Sequence, residues 1–353
     1  MSDPISESAV RSRFESIGLY LPETSITTEA LVDQMKVPLV FDLVGLTGIE
    51  RRRKRSEQED TVSIALAAAR DCLSRSRYTA ADLDVIVSCS ISRLRGAKHY
   101  FFEPAISLWI KNELGAPQAI NFDVANACAG MATGVHLLDS LIRSGVARRG
   151  MVVSGECNSA IFETAVQEIA SPIDEQLPSL TVGDAGSAVI MDGEGMPTDG
   201  IEYVEMVSCT EGAYLCLGMP SRQTEGVALY TKNMRMHAKD RLLLWPHFLQ
   251  QILHARGLSL AEEGFDHSIP HQVGQRFTDK GQSIAAEVLG ETIPPPIHVF
   301  KDLGNTSSTA HFVALYLALQ DGRVKSGDKI LMAPAASGVI IGCISTTVSG
   351  MGF

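Results

Sequence analysis

The amino-acid sequence predicts a duplicated α/β fold, helices packed on sheets in two similar units, and three spacings carry that reading. Asp84 and Asp266, each at an acidic turn that enters a short apolar run, lie 182 positions apart. Cys128 and Asn305, each on a small-residue turn between a strand and a helix, are 177 apart. The strands that open at Met151 and Ile330 are 179 apart, so all three offsets sit near half of the 353 residues. With 45% hydrophobic and 20% charged residues, neither half resembles a disordered segment, and each is long enough to bury its own core.

The elements follow in the same order in both halves. Val62 to Ser74, rich in Ala and Leu, reads as a helix, and Val85 to Ser88 as a buried strand. Ala119 to Val124 reads as the next strand, followed by the Cys128 turn, a helix-like run to Ile142, a stop at Ser144-Gly145 and a strand from Met151 to Gly155. In the second half a helix near Phe248 to Ala255 precedes the short strand His267 to Pro270. Ile297 to Phe300 is the expected counterpart of the Ala119 strand. The Asn305 turn, a helix to Gln320, a turn at Asp321-Gly322 and the strand Ile330 to Ala333 complete the repeat. The Gly/Pro-rich segment DGEGMPTDG, Asp192 to Gly200, divides the chain into units 1–195 and 196–353. Strand–helix–strand connections of this kind predict largely parallel sheets. Each half would then bring one strand-to-helix corner to a shared interface, where turn side chains and helix amides meet.

Composition narrows the functional classes. A net charge of −11 speaks against a nucleic-acid surface and for an acidic soluble enzyme. The seven cysteines, at 72, 89, 128, 157, 209, 216 and 343, show no zinc spacing, so no metal site is expected. Their odd number and scatter fit reduced thiols and a cytoplasmic location. The N-terminal residues lack the basic and apolar regions of a signal peptide, and no apolar run is long enough to span a membrane.

Three residues are candidates for chemistry. Cys128, ringed by Ala and Gly at the mouth of a helix, reads either as a nucleophile with a lowered pKa or as a buried core thiol. His271 ends a short strand, and Asn305 follows Gly304 where a turn residue or helix N-cap would also fit. What joins them is position: Cys128 and Asn305 occupy equivalent corners, and His271 ends a strand of the second half.

At these residues the sequence resembles the ketoacyl synthase III-like branch of the thiolase superfamily. DVANACAGMATG is similar to its nucleophile motif, IPHQ to its histidine motif, and LGNTSSTA to its asparagine motif. ILMAPAASGVIIG resembles its glycine-containing oxyanion segment, TGIERRR an early signature, and VGDAGSAVIM a strand closing the first half. The resemblance implies the five-layered αβαβα thiolase fold and a homodimer. It implies Cys128 as the acyl-accepting nucleophile, His271 and Asn305 as donors to a thioester enolate, and the amides of Cys128 and Gly338 as an oxyanion hole. Substrates would arrive on the phosphopantetheine of coenzyme A or an acyl carrier protein, with no further cofactor.

The departures from the family pattern are informative. Asp42 and Leu46 stand where the family carries the Trp and Arg that grip coenzyme A, which favours a carrier protein as partner. Val273-Gly274 replaces Ala-Asn after the histidine motif. Arg51, Arg52 and Arg53 lie in the strongest basic run, which would either hold a phosphopantetheine phosphate and dock an acidic carrier or form a solvated loop. Glu103-Pro104, about 25 residues before the nucleophile, resembles a sub-branch that joins acyl thioesters head to head, with the glutamate as base in the partner's site. A carboxylate at the start of the following helix is the alternative reading. Phe101, Phe102 and the stretch from Gly212 to Trp245 are expected to line acyl channels, with ordinary core and dimer interface as the alternative. The resulting expectation is a ketosynthase of secondary metabolism that forms a carbon–carbon bond between two acyl or β-ketoacyl thioesters. A malonyl-dependent 3-oxoacyl synthase III and an acyltransferase to a hydroxyl or amine are the alternatives.

Overall fold

Nine of the eleven residues of the helix Ala310–Gln320 are buried, the mark of an element enclosed on all sides. Its surroundings define the architecture. The computed structural model describes residues 10–96, 99–196 and 198–353. In chain order the first half contains β1 (Arg13–Tyr20), α1 (Thr61–Arg75), β2 (Val85–Ser88), α2 (Ile106–Leu114) and β3 (Ile120–Asp123). It continues with α3 (Gly130–Arg143), β4 (Arg149–Glu156), α4 (Ser159–Glu168) and β5 (Ala185–Asp192). The second half contains β6 (Gly200–Ser208), the hairpin β7 (Cys216–Pro220) and β8 (Val227–Thr231), α5 (Leu244–Arg256) and β9 (His267–Pro270). After these come α6 (Gln275–Leu289), α7 (Ala310–Gln320), β10 (Lys329–Ala333) and β11 (Ile340–Thr347).

The first sheet has the order β1-β5-β4-β2-β3 and the second β6-β11-β10-β9. Between them, α3 and α7 share one core with both sheets: Val87 and Val152 from the first, Met332 and Ile344 from the second, Val135 and Phe312 from the helices. A second core joins α1 and α2 to the outer face of the first sheet, through Ala65, Ala69, Ile106 and Ile110 against Ile86 and Val153. On the far side, Leu249 and Leu253 of α5 pack on Leu331 and Cys343. Helix, sheet, helix, sheet and helix therefore alternate as five layers. The closeness of α1 depends on missing side chains: a Cβ on Gly18 or Gly155 would stand 2.3 or 2.4 Å from the carbonyl of Ala68 or Thr61.

Two expectations need correction. The sheets are mixed, because β5 runs antiparallel to both β1 and β4, and β11 antiparallel to β6 and β10. Long excursions before β5 and a tight return into β11 let those strands reverse. Ile297 to Phe300 forms no strand; only a single bridge joins Pro296 to Ser268. Three consecutive prolines, Pro294 to Pro296, lack the N–H donors of a ladder. Among the described residues, no helix is long and apolar enough to cross a membrane.

Candidate active site

The nucleophile candidate stands on a strained turn. Ala127 has φ 45°, a left-handed value uncommon for a residue with a Cβ, and the single turn Ala127–Ala129 leads directly into α3. The turn is braced from both sides: the Ala129 amide donates to the Asn126 carbonyl at 3.1 Å, and the Asn126 side-chain amide donates to Thr133 Oγ1 at 2.8 Å. Cys128 remains partly exposed at its tip.

The second half supplies the matching corner. The Asn305 amide donates to the Thr181 carbonyl at 2.8 Å, and the Asn305 carbonyl accepts from Gly183 at 3.0 Å. Its Oδ1 accepts from the Ser307 amide at 2.9 Å, which fixes which end of the carboxamide points outward as the N–H donor. Ser307 also has positive φ, 57°, and its side chain acts electrostatically on the Cys128 thiol. The two repeat-related corners thus meet, as the spacing of Cys128 and Asn305 foresaw.

His271 follows β9 and is 9% exposed. Gln272 locks its backbone, donating to the carbonyls of Pro270 and Ile297 at 2.7 and 3.1 Å and accepting from the Val299 amide at 2.9 Å. Gly274 has φ 121°, and a Cβ there would stand 2.8 Å from the Thr47 carbonyl, so the Val-Gly departure reflects a close backbone approach. Gly338 lies in the connection between the Ala335-Ala336 segment and β11. Ala336 and Ile340 on either side of it pack against Ala129 and Cys128. Val339 exchanges two backbone hydrogen bonds with Cys209, at 2.7 and 3.0 Å, which hold this connection in place.

The electrostatics differ from the sequence expectation. Burial pushes the Cys128 thiol up to about 12, reinforced by Cys216 and the Glu156 charge and only partly opposed by the Ser307 hydroxyl and the Cys128 amide. Desolvation therefore outweighs the helix N-terminus that was expected to lower it. Burial lowers His271 to about 3, with His311 adding to the shift.

Sequence reasoning missed a buried carboxylate beneath the site. Glu156, fully enclosed at the end of β4, accepts from the amides of Ile91 and Ser92 at 3.0 and 3.1 Å, from Ser154 at 3.1 Å and from the Ser308 hydroxyl. Burial raises its pKa, and those donors oppose the shift. It anchors the turn that carries Asn305 and Ser307. No pattern around Glu156 marked it, because its partners are distant in sequence. Glu156→Gln would turn an amide N–H₂ towards donors, costing about 2–4 kcal/mol of stability, read as a lower Tm. Removing its negative charge also lowers the Cys128 pKa, so iodoacetamide should alkylate Cys128 faster at pH 8. A slower reaction would show that the charge does not act on the thiol.

Glu103 is placed apart from these groups. It is exposed, has no hydrogen bond or ion pair among the described residues, and bears electrostatically on neither Cys128 nor His271. It does not serve the helix end: Asp123 accepts from the Ile106 and Ser107 amides, both at 2.9 Å, and fills that role. The helix-end reading is thereby removed. Phe102 beside it is 86% exposed, whereas the Phe101 ring lies 4.8 Å from that of Trp109, tilted by 46°, and packs against the outer core.

The basic run divides. Arg52 points inward and is completely buried, its Nη2 donating to Thr28 Oγ1 at 2.8 Å, so it faces no docking partner. The alternation of the short strand Arg51–Arg53 explains this. Arg51 pairs with Asp302 at 3.4 Å, and Arg53 donates to the carbonyls of Pro22 and Glu23. Asp42 caps a short helix by accepting from the Gly45 amide at 2.9 Å. With Phe41, Gly45, Leu46 and the exposed Arg276 it lines a surface cleft of about 530 Å³.

Residues 122–212 match the family described as 3-oxoacyl-(acyl-carrier-protein) synthase III, and residues 253–348 match its C-terminal part; together they cover more than half of the chain. The chain belongs to the ketoacyl synthase III-like family of condensing acyltransferases. The synthase III-like chain is 29% identical over 349 residues to a β-ketoacyl-(acyl-carrier-protein) synthase III of Rhizobium rhizogenes, with 95% of this chain and 98% of that protein covered. The enzyme of the same name from Rhizobium johnstonii is 27% identical over 348 residues, covering 95% and 98%. In fold, it matches OleA of Xanthomonas campestris, solved with lauric acid and lauroyl-CoA, with a TM-score of 0.82 at 19% identity, covering 96% of this chain and 99% of that one. It matches the 3-oxoacyl-(acyl-carrier-protein) synthase III of Aquifex aeolicus with a TM-score of 0.78 at 22% identity, covering 95% and 99%. The five layers of the synthase III-like chain are thus those of the thiolase fold.

Proposed function

We propose that the protein is a homodimeric ketosynthase that joins two acyl or β-ketoacyl thioesters by Claisen condensation through an acyl-Cys128 intermediate. The observation that carries this reading is the state of His271: buried, neutral, and without a carboxylate behind it. A histidine that serves as general base for a hydroxyl or amine acceptor gains from an orienting carboxylate and a pKa near neutrality. This one suits the opposite task, donating an N–H to a developing enolate. Carbon–carbon bond formation is favoured over acyl transfer to a heteroatom.

In the first step the Cys128 sulfur attacks the thioester carbonyl while the Cys128 and Gly338 amides hold the oxyanion. The carrier thiol leaves with the Cys128 proton. In the second step Glu103 of a partner subunit takes the α-proton of the second thioester. The enolate oxygen rests on His271 and Asn305, and its α-carbon attacks the acyl group, expelling the Cys128 thiolate, which recovers the proton. The edge strand β3, paired only with β2, and the exposed Phe102-Glu103 loop supply the surface for the second copy. The cleft with Arg276 would admit the phosphopantetheine arm. Arg51 and Arg53 suit an acidic carrier protein, while the Asp42 carboxylate that lines the cleft opposes coenzyme A's phosphates. The apolar group Leu215, Met236, Trp245 and Phe248 beside Val339 would receive acyl chain.

The names of the curated relatives support a second reading, in which a malonyl donor supplies the enolate by losing carbon dioxide and no base is needed. Mass spectrometry after incubation with saturated and β-ketoacyl thioesters, without malonyl donor, separates the two. A coupled product that retains every carbon of both chains is expected. Acylated Cys128 with product only after malonyl addition would establish the decarboxylative reaction instead.

A further inference from the structure

Beside His271 stands a second buried histidine that the proposed reaction does not use. His311 is the second residue of α7 and is 2% exposed. Its ring lies nearly parallel to that of His271, 17° between planes and 5.7 Å between centroids. We propose that His311 is a positioning residue for His271, holding that ring in one plane and in its neutral form. The role of His271 itself rests on the function proposed above.

The hydrogen bonds define both tautomers. His311 Nε2 lies 3.3 Å from the Ala333 carbonyl, which only accepts, so Nε2 carries the hydrogen and the ring cannot turn without losing the bond. His271 Nδ1 is buried without a partner. A bare lone pair is tolerated there far better than an N–H, which places the His271 proton on Nε2. Protonating His271 would create that orphaned N–H and set the cation against the His311 face. Nor does His311 relay a proton: stacked rings direct their N–H bonds along parallel planes, not at each other.

The surroundings add no counter-charge. Burial lowers His271 to about 3 and His311 to about 4; the Ala333 carbonyl opposes the second shift and His311 adds to the first. Among the described residues no other titratable or charged side chain acts on either ring, Cys128 on its turn and Glu156 on β4 included. His311 also lies in the first turn of α7, where the helix dipole disfavours a cation.

The test needs no turnover. In protein carrying ¹³C-labelled histidine, with the His271 signal assigned by its loss in His271→Asn and followed from pH 8 down to 3, His271 should stay neutral to pH 5 and titrate only at the acid end. In His311→Phe, which keeps an aromatic face but removes the competing imidazole and the Ala333 bond, the His271 midpoint should rise by about one pH unit or more. His311→Gln, which restores an N–H to Ala333 without a ring, provides a second variant should His311→Phe not fold. In turnover, acylation of Cys128 should change less than about twofold, while condensation falls about tenfold or more. An unchanged His271 titration together with an unchanged condensation rate in both variants overturns the proposal. A shifted titration in a protein that never forms coupled product supports the His311 role and removes the condensation reading instead.

Discussion

Cys128→Ala is expected to abolish the acyl-enzyme and all coupled product, a loss of about 10⁴-fold or more. The expectation follows from geometry as much as from chemistry. The left-handed Ala127 and the Asn126–Thr133 brace together hold one sulfur at the mouth of α3. Cys216 acts on Cys128 electrostatically and so stands near it, but it belongs to a hairpin strand and bonds to Thr231 Oγ1 at 3.3 Å. Intact-protein mass spectrometry after exposure to an acyl thioester should show one added acyl group in the native protein and none in the variant. An acyl adduct of equal extent in Cys128→Ala would move the nucleophile elsewhere, with Cys216 the first residue to examine. The substitution fits the turn without strain, so the fold should survive it.

Glu103→Gln should leave acylation of Cys128 within about twofold and slow the joining of two non-malonyl thioesters by about 10²–10⁴-fold, the range for loss of a positioned general base. The acidity of the donor explains the asymmetry. Attack by sulfur on the first thioester requires no α-carbon chemistry, whereas enolate formation without decarboxylation requires a base. Glutamine preserves size and exposure, and Glu103 makes no hydrogen bond or ion pair among the described residues, so folding should be unaffected. Single-turnover measurement on preformed acyl-enzyme isolates the second step. Condensation at the native rate would remove Glu103 from the mechanism and leave the malonyl-dependent reading as the stronger one. Mixing Glu103→Gln with Cys128→Ala adds a direct test of action across subunits: a mixed dimer recovers one complete site only if the glutamate serves its partner.

The layered fold was legible because duplication leaves a trace in spacing. Asp84 with Asp266, and Met151 with Ile330, mark strands that occupy matching places in the two sheets. Strand direction was not legible: apolar content is the same in a parallel and an antiparallel strand, and only the path of the chain before β5 and β11 decides it. The Ile297 segment misled for a related reason, since its own composition suits a strand while the prolines before it remove the ladder donors. At the site, Cys128, His271 and Asn305 were visible as residue types at corners. Their protonation was not, because it depends on burial contributed by both halves. Glu156 and His311 escaped notice for the same reason: their partners Ile91, Ser308 and Ala333 converge only in three dimensions. Arg52 shows the converse, a charge that reads as surface in sequence and is enclosed once the short strand alternates.

Asp123 sits at the end of β3, five residues before Cys128, and its carboxylate holds the Ile106 and Ser107 amides of α2 as well as Arg93 at 3.0 Å. The stretch between Arg93 and Ile106, which carries Phe102 and Glu103, is therefore tethered at both of its ends by a single side chain belonging to the nucleophile's own strand. Such a tether separates heredity of the scaffold from heredity of the loop. Exchanges at the exposed Phe102 and Glu103 alter what the chain offers a neighbour without touching the turn that carries Cys128. Under the proposed mechanism, a substitution at residue 103 would add or remove the base for the second substrate while leaving the acylation step intact.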